Sequence, residues 1–152
     1  MVNVNKVPFN GWQNCYKVSN GVIDLIVTSD VGPRIIYFGF SGSENQFYVN
    51  EKESGLTGAD HWIAYGGHRF WHAPEDPVRT YSPDNQPLQV EEIENGMRIM
   101  QPVEPVGIQK TIEIVMSEKE PKIKINHILI NKNLWQIPVA AWALSVMRAG
   151  GM

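Results

Sequence analysis

The sequence predicts an all-β fold, an antiparallel β-sandwich, from three observations. Apolar residues recur at every second position over several segments, as in strands whose successive side chains point to opposite faces. Asn-Gly turns separate some of these segments, and such turns favour hairpins. No segment has an apolar stripe at helical spacing, and ten prolines with thirteen glycines interrupt the chain. At 152 residues, the chain 1–152 has the length of a single domain.

Four strands are predicted first from the early turns and from the longest apolar runs. The turn Ser-Asn-Gly at 19–21 joins strands at 15–18 and 22–28. The runs RIIYFGF at 34–40 and IPVAAWALSVM at 137–147 are apolar at nearly every position. Strands of that kind belong in the middle of a sheet that is covered on both faces.

The second half of the chain predicts two hairpins. The Asn-Gly pair at 95–96 joins strands at 88–94 and 97–102, and both turn residues are expected to take positive φ. The strand at 108–116 alternates apolar and polar residues, and after a short polar turn the strand at 122–129 does the same.

The segment 50–87 breaks the alternation and is rich in Gly, Pro, His and Asp. Its central part, AYGGHRFWHAPEDP at 64–77, predicts a loop, because a packed strand is not expected to accept so many polar groups. A loop of this length in a compact domain is functional or disordered. Five aromatic residues argue against disorder: Trp62, Tyr65, Phe70, Trp71 and Tyr81.

The composition excludes several classes of partner. The net charge is -3 and there is no basic cluster, so neither nucleic acid nor an anionic membrane is expected as a partner. Cys15 is the only cysteine, which rules out an internal disulfide. The N-terminus lacks the pattern of a signal peptide, and no apolar run is long enough to span a membrane. We therefore expect a cytoplasmic protein.

The most apolar predicted strand, 137–147, is followed only by a few residues. A central strand left uncovered would expose backbone donors and an apolar face. We therefore expect that the chain self-associates, or that a missing C-terminal half covers this sheet.

Four stretches together resemble a known family. They are GWQNCYKVSNGVIDLIVTSDVGPRIIYFGF, YGGHRFWHAPED, QPVEPVGIQKTIEIVMSE and NHILINKNLWQIPVAAWALSVM. These stretches resemble the N-terminal half of galactose mutarotase-like proteins, which include the aldose 1-epimerases, and specifically an uncharacterised bacterial branch of that superfamily. The resemblance spans almost the whole chain.

The resemblance implies half of a β-supersandwich with a sugar cleft on its concave face. In the epimerases a glutamate of the second half is the general base, so the resemblance places that base outside this sequence. Where the epimerases carry an acid histidine, this chain has Trp142-Ala143-Leu144-Ser145. Whether the chain is an isomerase is therefore left open.

The candidate site residues are those whose side chains could bind a sugar. Trp62, Trp71 and Tyr65 offer flat apolar faces for the ring, and the polar candidates offer partners for its hydroxyls. Those polar candidates are Arg69, His68, His72, Glu75 and Asp76, with Arg34 and His127 as further possibilities. Mutarotation needs an acid and a base near neutral pKa, so His72, or else His68, is the candidate catalytic acid.

The residues also allow other interpretations. In a purely structural loop, Arg69 would pair with Glu75 or Asp76, and His127 would be a hydrogen-bonded core residue. His61, His68, His72 and Glu75 could hold zinc, but the glycines and Pro74 argue against a helix that would bring them together. We therefore predict no metal and no cofactor. The leading hypothesis is a carbohydrate-binding protein of aldose 1-epimerase type, and the alternative is a non-catalytic carbohydrate-binding or structural module.

Overall fold

The computed structural model describes residues 1–150 as two antiparallel β-sheets. The first sheet has six strands, in the spatial order β1-β2-β3-β4-β5-β10. They are β1 (Asn3–Phe9), β2 (Trp12–Ser19), β3 (Ile23–Thr28), β4 (Arg34–Phe40), β5 (His68–Ala73) and β10 (Ala140–Ser145). The second sheet has four strands in sequence order: β6 (Gln89–Ile93), β7 (Gly96–Met100), β8 (Ile108–Met116) and β9 (Ile123–Asn131).

The all-β sandwich prediction is confirmed. Residues 1–150 form no helix, and hence none that is long and apolar enough to cross a membrane. The strands at 34–40 and 108–116 have the predicted bounds, since each is marked by a run of alternating or continuous apolar residues between turns.

Two hydrophobic cores lie on opposite faces of the six-stranded sheet. The main core fills the space between the sheets, where Leu25 and Phe70 of one sheet and Ile99 and Ile112 of the other are fully buried. The second core, around Trp12 and residues from the segment 50–87, covers the other face of the larger sheet. A β5 side chain is therefore buried whichever face it points to.

The prediction that 64–77 is a loop is wrong, because residues 68–73 form strand β5. Its first five residues are buried. A strand of such polar composition is stable here because its charged side chains find partners from distant segments, as described below. Gly66 and Gly67 lead into it with φ of 87° and 72°. A Cβ on Gly67 would lie 2.2 Å from the carbonyl oxygen of Ile35, so the glycines permit a close approach of two backbones.

The prediction that 137–147 lies in the middle of a sheet is also wrong. Strand β10 occupies 140–145, pairs only with β5 and forms the edge of the larger sheet. Five of its six residues are exposed. Apolar composition indicates that a strand can be covered, but it does not specify which segment covers it.

The hairpin at Asn95-Gly96 differs from the prediction in one detail. Only Asn95 has positive φ, at 56°, and Gly96 is already the first residue of β7. A Cβ on Gly96 would lie 1.8 Å from the Ile114 carbonyl oxygen. The glycine is thus required for close approach to β8 and not for the turn itself.

Candidate functional site

Strand β5 separates the predicted site residues into two groups. Because side chains alternate along a strand, His68, Phe70 and His72 point into the space between the sheets. Arg69 and Trp71 point to the opposite, outer face. The contacts agree with this alternation, since Phe70 and His68 both contact the His127 ring of the smaller sheet, and Arg69 contacts Trp62 of the segment 50–87.

On the outer face, two arginines share one carboxylate. Arg34 on β4 lies directly opposite Arg69 on β5. Nη2 of Arg34 lies 3.3 Å, and Nη2 of Arg69 3.2 Å, from the same Oδ2 atom of Asp84. Arg34 also donates to the Gly66 carbonyl oxygen at 2.8 Å. Like charges directly opposite each other destabilise a sheet, and the carboxylate between them offsets this repulsion.

Arg69 is enclosed by aromatic rings as well. Its guanidinium carbon lies 4.3 Å from the ring centre of Trp71 and 5.0 Å from that of Trp62, within the range of cation–π attraction. Tyr81 packs its edge against both indoles. The expectation that Arg69 pairs with Glu75 or Asp76 is wrong, because its carboxylate partner is Asp84.

Burial acts on the pKa of both arginines in the same direction. Removal from water lowers the pKa of Arg34 and lowers that of Arg69 to about 9, while the charge of Asp84 opposes the change in each case. A guanidinium stays protonated in proteins, so both groups carry a positive charge. On the outer face, two buried guanidinium groups therefore lie next to the aromatic rings of Tyr65, Trp62 and Trp71.

Tyr65 belongs to the same outer group. The guanidinium of Arg34 lies 5.0 Å from its ring centre, and its hydroxyl donates to Oδ1 of Asn85 at 3.1 Å. Asn85 in turn donates to the carbonyl oxygens of Ala59 and His61. The fully buried Asp84-Asn85 pair thus fastens the segment 50–67 to the sheet, a role that the sequence reasoning missed.

These outer residues enclose a cavity of about 300 Å³. Its walls are mostly apolar, and the guanidinium nitrogens of Arg69 are buried from solvent. The lining residues are Arg34, Tyr48, Trp62, Ala64, Gly66, Arg69, Trp71, Leu144 and Val146. Four of the ten predicted site residues therefore line one cavity: Arg34, Trp62, Arg69 and Trp71.

A second, larger cleft of about 560 Å³ lies beside the first. Its lining is polar, with Asn10, Asn45, Asn50 and Lys52 among its residues, and Tyr48 borders both spaces. None of the predicted site residues lies in this cleft.

On the inner face, His68 links three strands. Its Nδ1 lies 2.8 Å from Oγ of Ser145, and its Nε2 lies 2.8 Å from Nε2 of His127. At that separation one Nε2 carries a proton and the other accepts it. Burial, together with the neighbouring His127, lowers the pKa of His68 to about 4, and burial lowers that of His127. Both rings are neutral at pH 7.

His72 joins a buried ionic group on the same inner face. Its Nε2 lies 3.5 Å from Oε2 of Glu104, and the Lys110 ammonium lies 2.6 Å from Oε1 of the same carboxylate. Burial alone would raise the pKa of Glu104, but His72 and Lys110 more than offset it, and the pKa is lowered. The His72 side chain is fully buried. Its predicted role as a catalytic acid stays a prediction, as does that of His68.

Glu75 and Asp76 follow the end of β5 and lie outside the cavity lining. The Tyr81 hydroxyl donates to Glu75. Oδ1 of Asp76 accepts hydrogen bonds from the backbone N–H groups of Val78 and Arg79, and these bonds lower its pKa. Both carboxylates hold the turn after β5 in this structure.

The zinc alternative finds no support in the geometry. Within residues 1–150, no three His, Cys, Asp or Glu side chains are grouped so that they could hold a metal ion. His61 is exposed and pairs with its neighbour Asp60.

Comparisons with known proteins identify no relative of this chain. No family model, no curated protein and no solved structure matches this chain.

Proposed function

We propose that this chain is a carbohydrate-binding β-sandwich of galactose mutarotase type that holds a sugar ring in the cavity beside Arg69. The observation that carries the proposal is the juxtaposition of two tryptophans and two buried arginines around about 300 Å³. Ligand cavities usually combine apolar walls with a few well-placed polar groups. The indole rings of Trp62 and Trp71 suit the C–H face of a pyranose.

The geometry supports binding better than catalysis. Mutarotation requires a proton donor and a proton acceptor within hydrogen-bond reach of the sugar. The titratable side chains lining the cavity are Arg34, Arg69 and Tyr48, whereas His68 and His72 point to the other face of β5. A non-catalytic binding module is therefore the form of the proposal that we favour, with an epimerase as the alternative.

Saturation-transfer NMR with a panel of reducing sugars tests both forms in one experiment. We expect transfer from protein to sugar protons without faster exchange between the two anomeric signals. Transfer with faster exchange would establish the epimerase. No transfer to any sugar in the panel would contradict the proposed function.

A proposal about partners rests on the free edge of β10. Its backbone groups are paired on one side only, and the nearby apolar residues Val146 and Met147 are about half exposed. Such an edge readily accepts another strand. We propose that the chain self-associates through β10. A single monomeric species in a sedimentation experiment at micromolar concentration would contradict this proposal.

A further inference from the structure

The nitrogen atoms of the side chains around the cavity are not accessible to a ligand. The indole N–H groups of Trp62 and Trp71 and all three guanidinium nitrogens of Arg69 are buried from solvent. Nη1 of Arg34 donates to the Gly66 carbonyl oxygen, and Nε of Arg34 is buried. The surface that a ligand would contact is therefore almost entirely apolar.

A hydroxyl group that entered such a cavity would lose its hydrogen bonds to water. It would find no replacement from Trp62, Trp71 or Arg69, which makes its transfer unfavourable. A methyl group in the same place gains free energy, because its apolar surface leaves water. On the β10 side the apolar wall is formed by Leu144 and Val146, which are each more than one-third exposed. The cavity therefore favours an apolar group over a hydroxyl.

Polar groups that could bind the hydroxyls of a sugar lie next to the cavity, on the side of Tyr48. Tyr48 lines both the cavity and the polar cleft beside it, and it is about half exposed. Asn10, Asn50 and Lys52 also line the cleft, and amide and ammonium groups are hydrogen-bond partners for hydroxyls. A ligand that fits both surroundings has one apolar edge and one polar edge.

We propose that the ligand of this cavity is a 6-deoxyhexose, with its methyl group against Leu144 and Val146 and its hydroxyls toward Tyr48. This inference rests on the proposed sugar-binding function and specifies its ligand class. In these sugars a methyl group replaces the hydroxymethyl group, so the ring has an apolar corner beside the C–H face that suits the indoles. A volume of about 300 Å³ lies at the lower end of the range for ligand cavities, about 300 to 1,000 Å³, which suits a single ring.

The test compares sugars that differ only in the hydroxyl on the sixth carbon. Isothermal titration of the whole chain uses 6-deoxygalactose with galactose, 6-deoxyglucose with glucose, and 6-deoxymannose with mannose, each pair in the same enantiomer. We expect the deoxy sugar of at least one pair to bind about 5- to 100-fold more tightly, because its partner buries a hydroxyl without a hydrogen bond. Equal affinity, or tighter binding of the hydroxylated sugar, in every pair that binds would overturn the inference and leave the sugar-binding function standing. Binding of no pair would overturn both.

Two further ligands separate the methyl group at the sixth carbon from other apolar groups. Methyl galactoside carries its methyl group on the anomeric oxygen, and a larger gain for it than for the 6-deoxy sugars would overturn the inference. Cyclohexanol, a six-membered ring with a single hydroxyl, should bind more weakly than the best deoxy sugar. If it binds as tightly, the sugar hydroxyls are not recognised, and the inference and the proposed function both fail.

Substitution of Leu144 locates the methyl group. We expect Leu144→Asn to reduce the advantage of the deoxy sugar by about five-fold or more, because the amide offers the sixth hydroxyl a partner and removes apolar surface from the methyl group. Leu134→Asn is the matched control and should retain the advantage, since Leu134 is 98% exposed and lies outside the cavity lining. Circular dichroism checks that both variants fold, and the wild-type pairs decide the question if Leu144→Asn does not. Retention of the full advantage by folded Leu144→Asn would overturn the inference.

Discussion

The two faces of β5 bury charge in different ways. On the inner face, one carboxylate, Glu104, lies 2.6 Å from the Lys110 ammonium and 3.5 Å from Nε2 of His72. On the outer face, Asp84 lies between two guanidinium groups, and one positive charge is in excess. Only the outer group borders a cavity of ligand size.

We expect a structural role for the inner group and, under the proposed function, a binding role for the outer group. Glu104 and Lys110 have opposite charges in close contact, and removing either partner of such a buried pair is strongly destabilising. The outer residues Arg34, Arg69, Trp62 and Trp71 instead line the cavity in which we propose that a sugar binds. The inner face should therefore respond to substitution mainly in folding stability, and the outer face mainly in binding.

The largest expected effect is on the inner face. Glu104→Gln should lower the free energy of unfolding by about 3 to 5 kcal/mol, because it leaves the Lys110 ammonium buried without its carboxylate. Urea unfolding measures the change. The double variant with Lys110→Met should regain part of the loss, since both charges are then absent. A single variant as stable as the wild type would break the comparison.

The next effect is a loss of stability in acid through His68. Its pKa is about 4 in the folded protein, against an ordinary value of 6.5. As the pH falls, His68 becomes protonated in the unfolded chain before it does so in the folded protein. The full free energy of unfolding is therefore present above about pH 6.5 and decreases as the pH drops toward 4. The total loss is about 3 kcal/mol, and His127, whose pKa is lowered by burial, adds to it in the same direction.

Unfolding free energies measured between pH 7 and pH 4.5 check this dependence. His68→Gln should show a shallower slope than the wild type. His61→Gln removes an exposed histidine and should keep the wild-type slope. Identical slopes for all three proteins would mean that His68 does not contribute.

A smaller effect concerns binding at the outer face. Trp62→Ala should weaken sugar binding by about five-fold, since stacking on an aromatic face contributes about 1 kcal/mol. Trp135→Ala is the matched control, because Trp135 is 65% exposed and lies outside the cavity. Titration calorimetry with the best sugar of the panel measures both. Equal losses in the two variants would argue against the cavity.

The smallest expected effect lies at the turn after β5, which belongs to neither face. Glu75→Gln should change the free energy of unfolding by less than about 0.5 kcal/mol, because the exposed side chain gives up one hydrogen bond to Tyr81 in contact with water. Urea unfolding checks this value. A large loss of sugar affinity in the same variant would extend the binding site to Glu75.

Much of the fold could be predicted from local sequence. Strands β4 and β8 follow from apolar runs bounded by turns, because alternation reports the two faces of a strand directly. Strand β5 could not be predicted in this way. Its buried polar residues are stabilised by Asp84 and Glu104, which are distant in sequence, and no local pattern shows that they meet.

The candidate site was predicted in part. Arg69, Trp71 and Trp62 stand out because arginine and tryptophan in one glycine-rich segment suggest a binding surface. Asp84 and Glu104 were missed because both lie in proline-containing segments, SPDNQP and PVEP, where an acidic residue is usually solvated. Their burial depends on how the two sheets pack.

The glycine pair before β5 has a consequence for how the sequence can vary. Gly66 and Gly67 fix where the strand begins, since a Cβ on either would collide with the carbonyl oxygen of Tyr48 or Ile35. Moving the strand by one residue would turn every side chain to the opposite face, sending Arg69 into the apolar interior and Phe70 to the cavity. A deletion of one residue at this point is therefore expected to abolish folding. A deletion of two would preserve which face each side chain occupies.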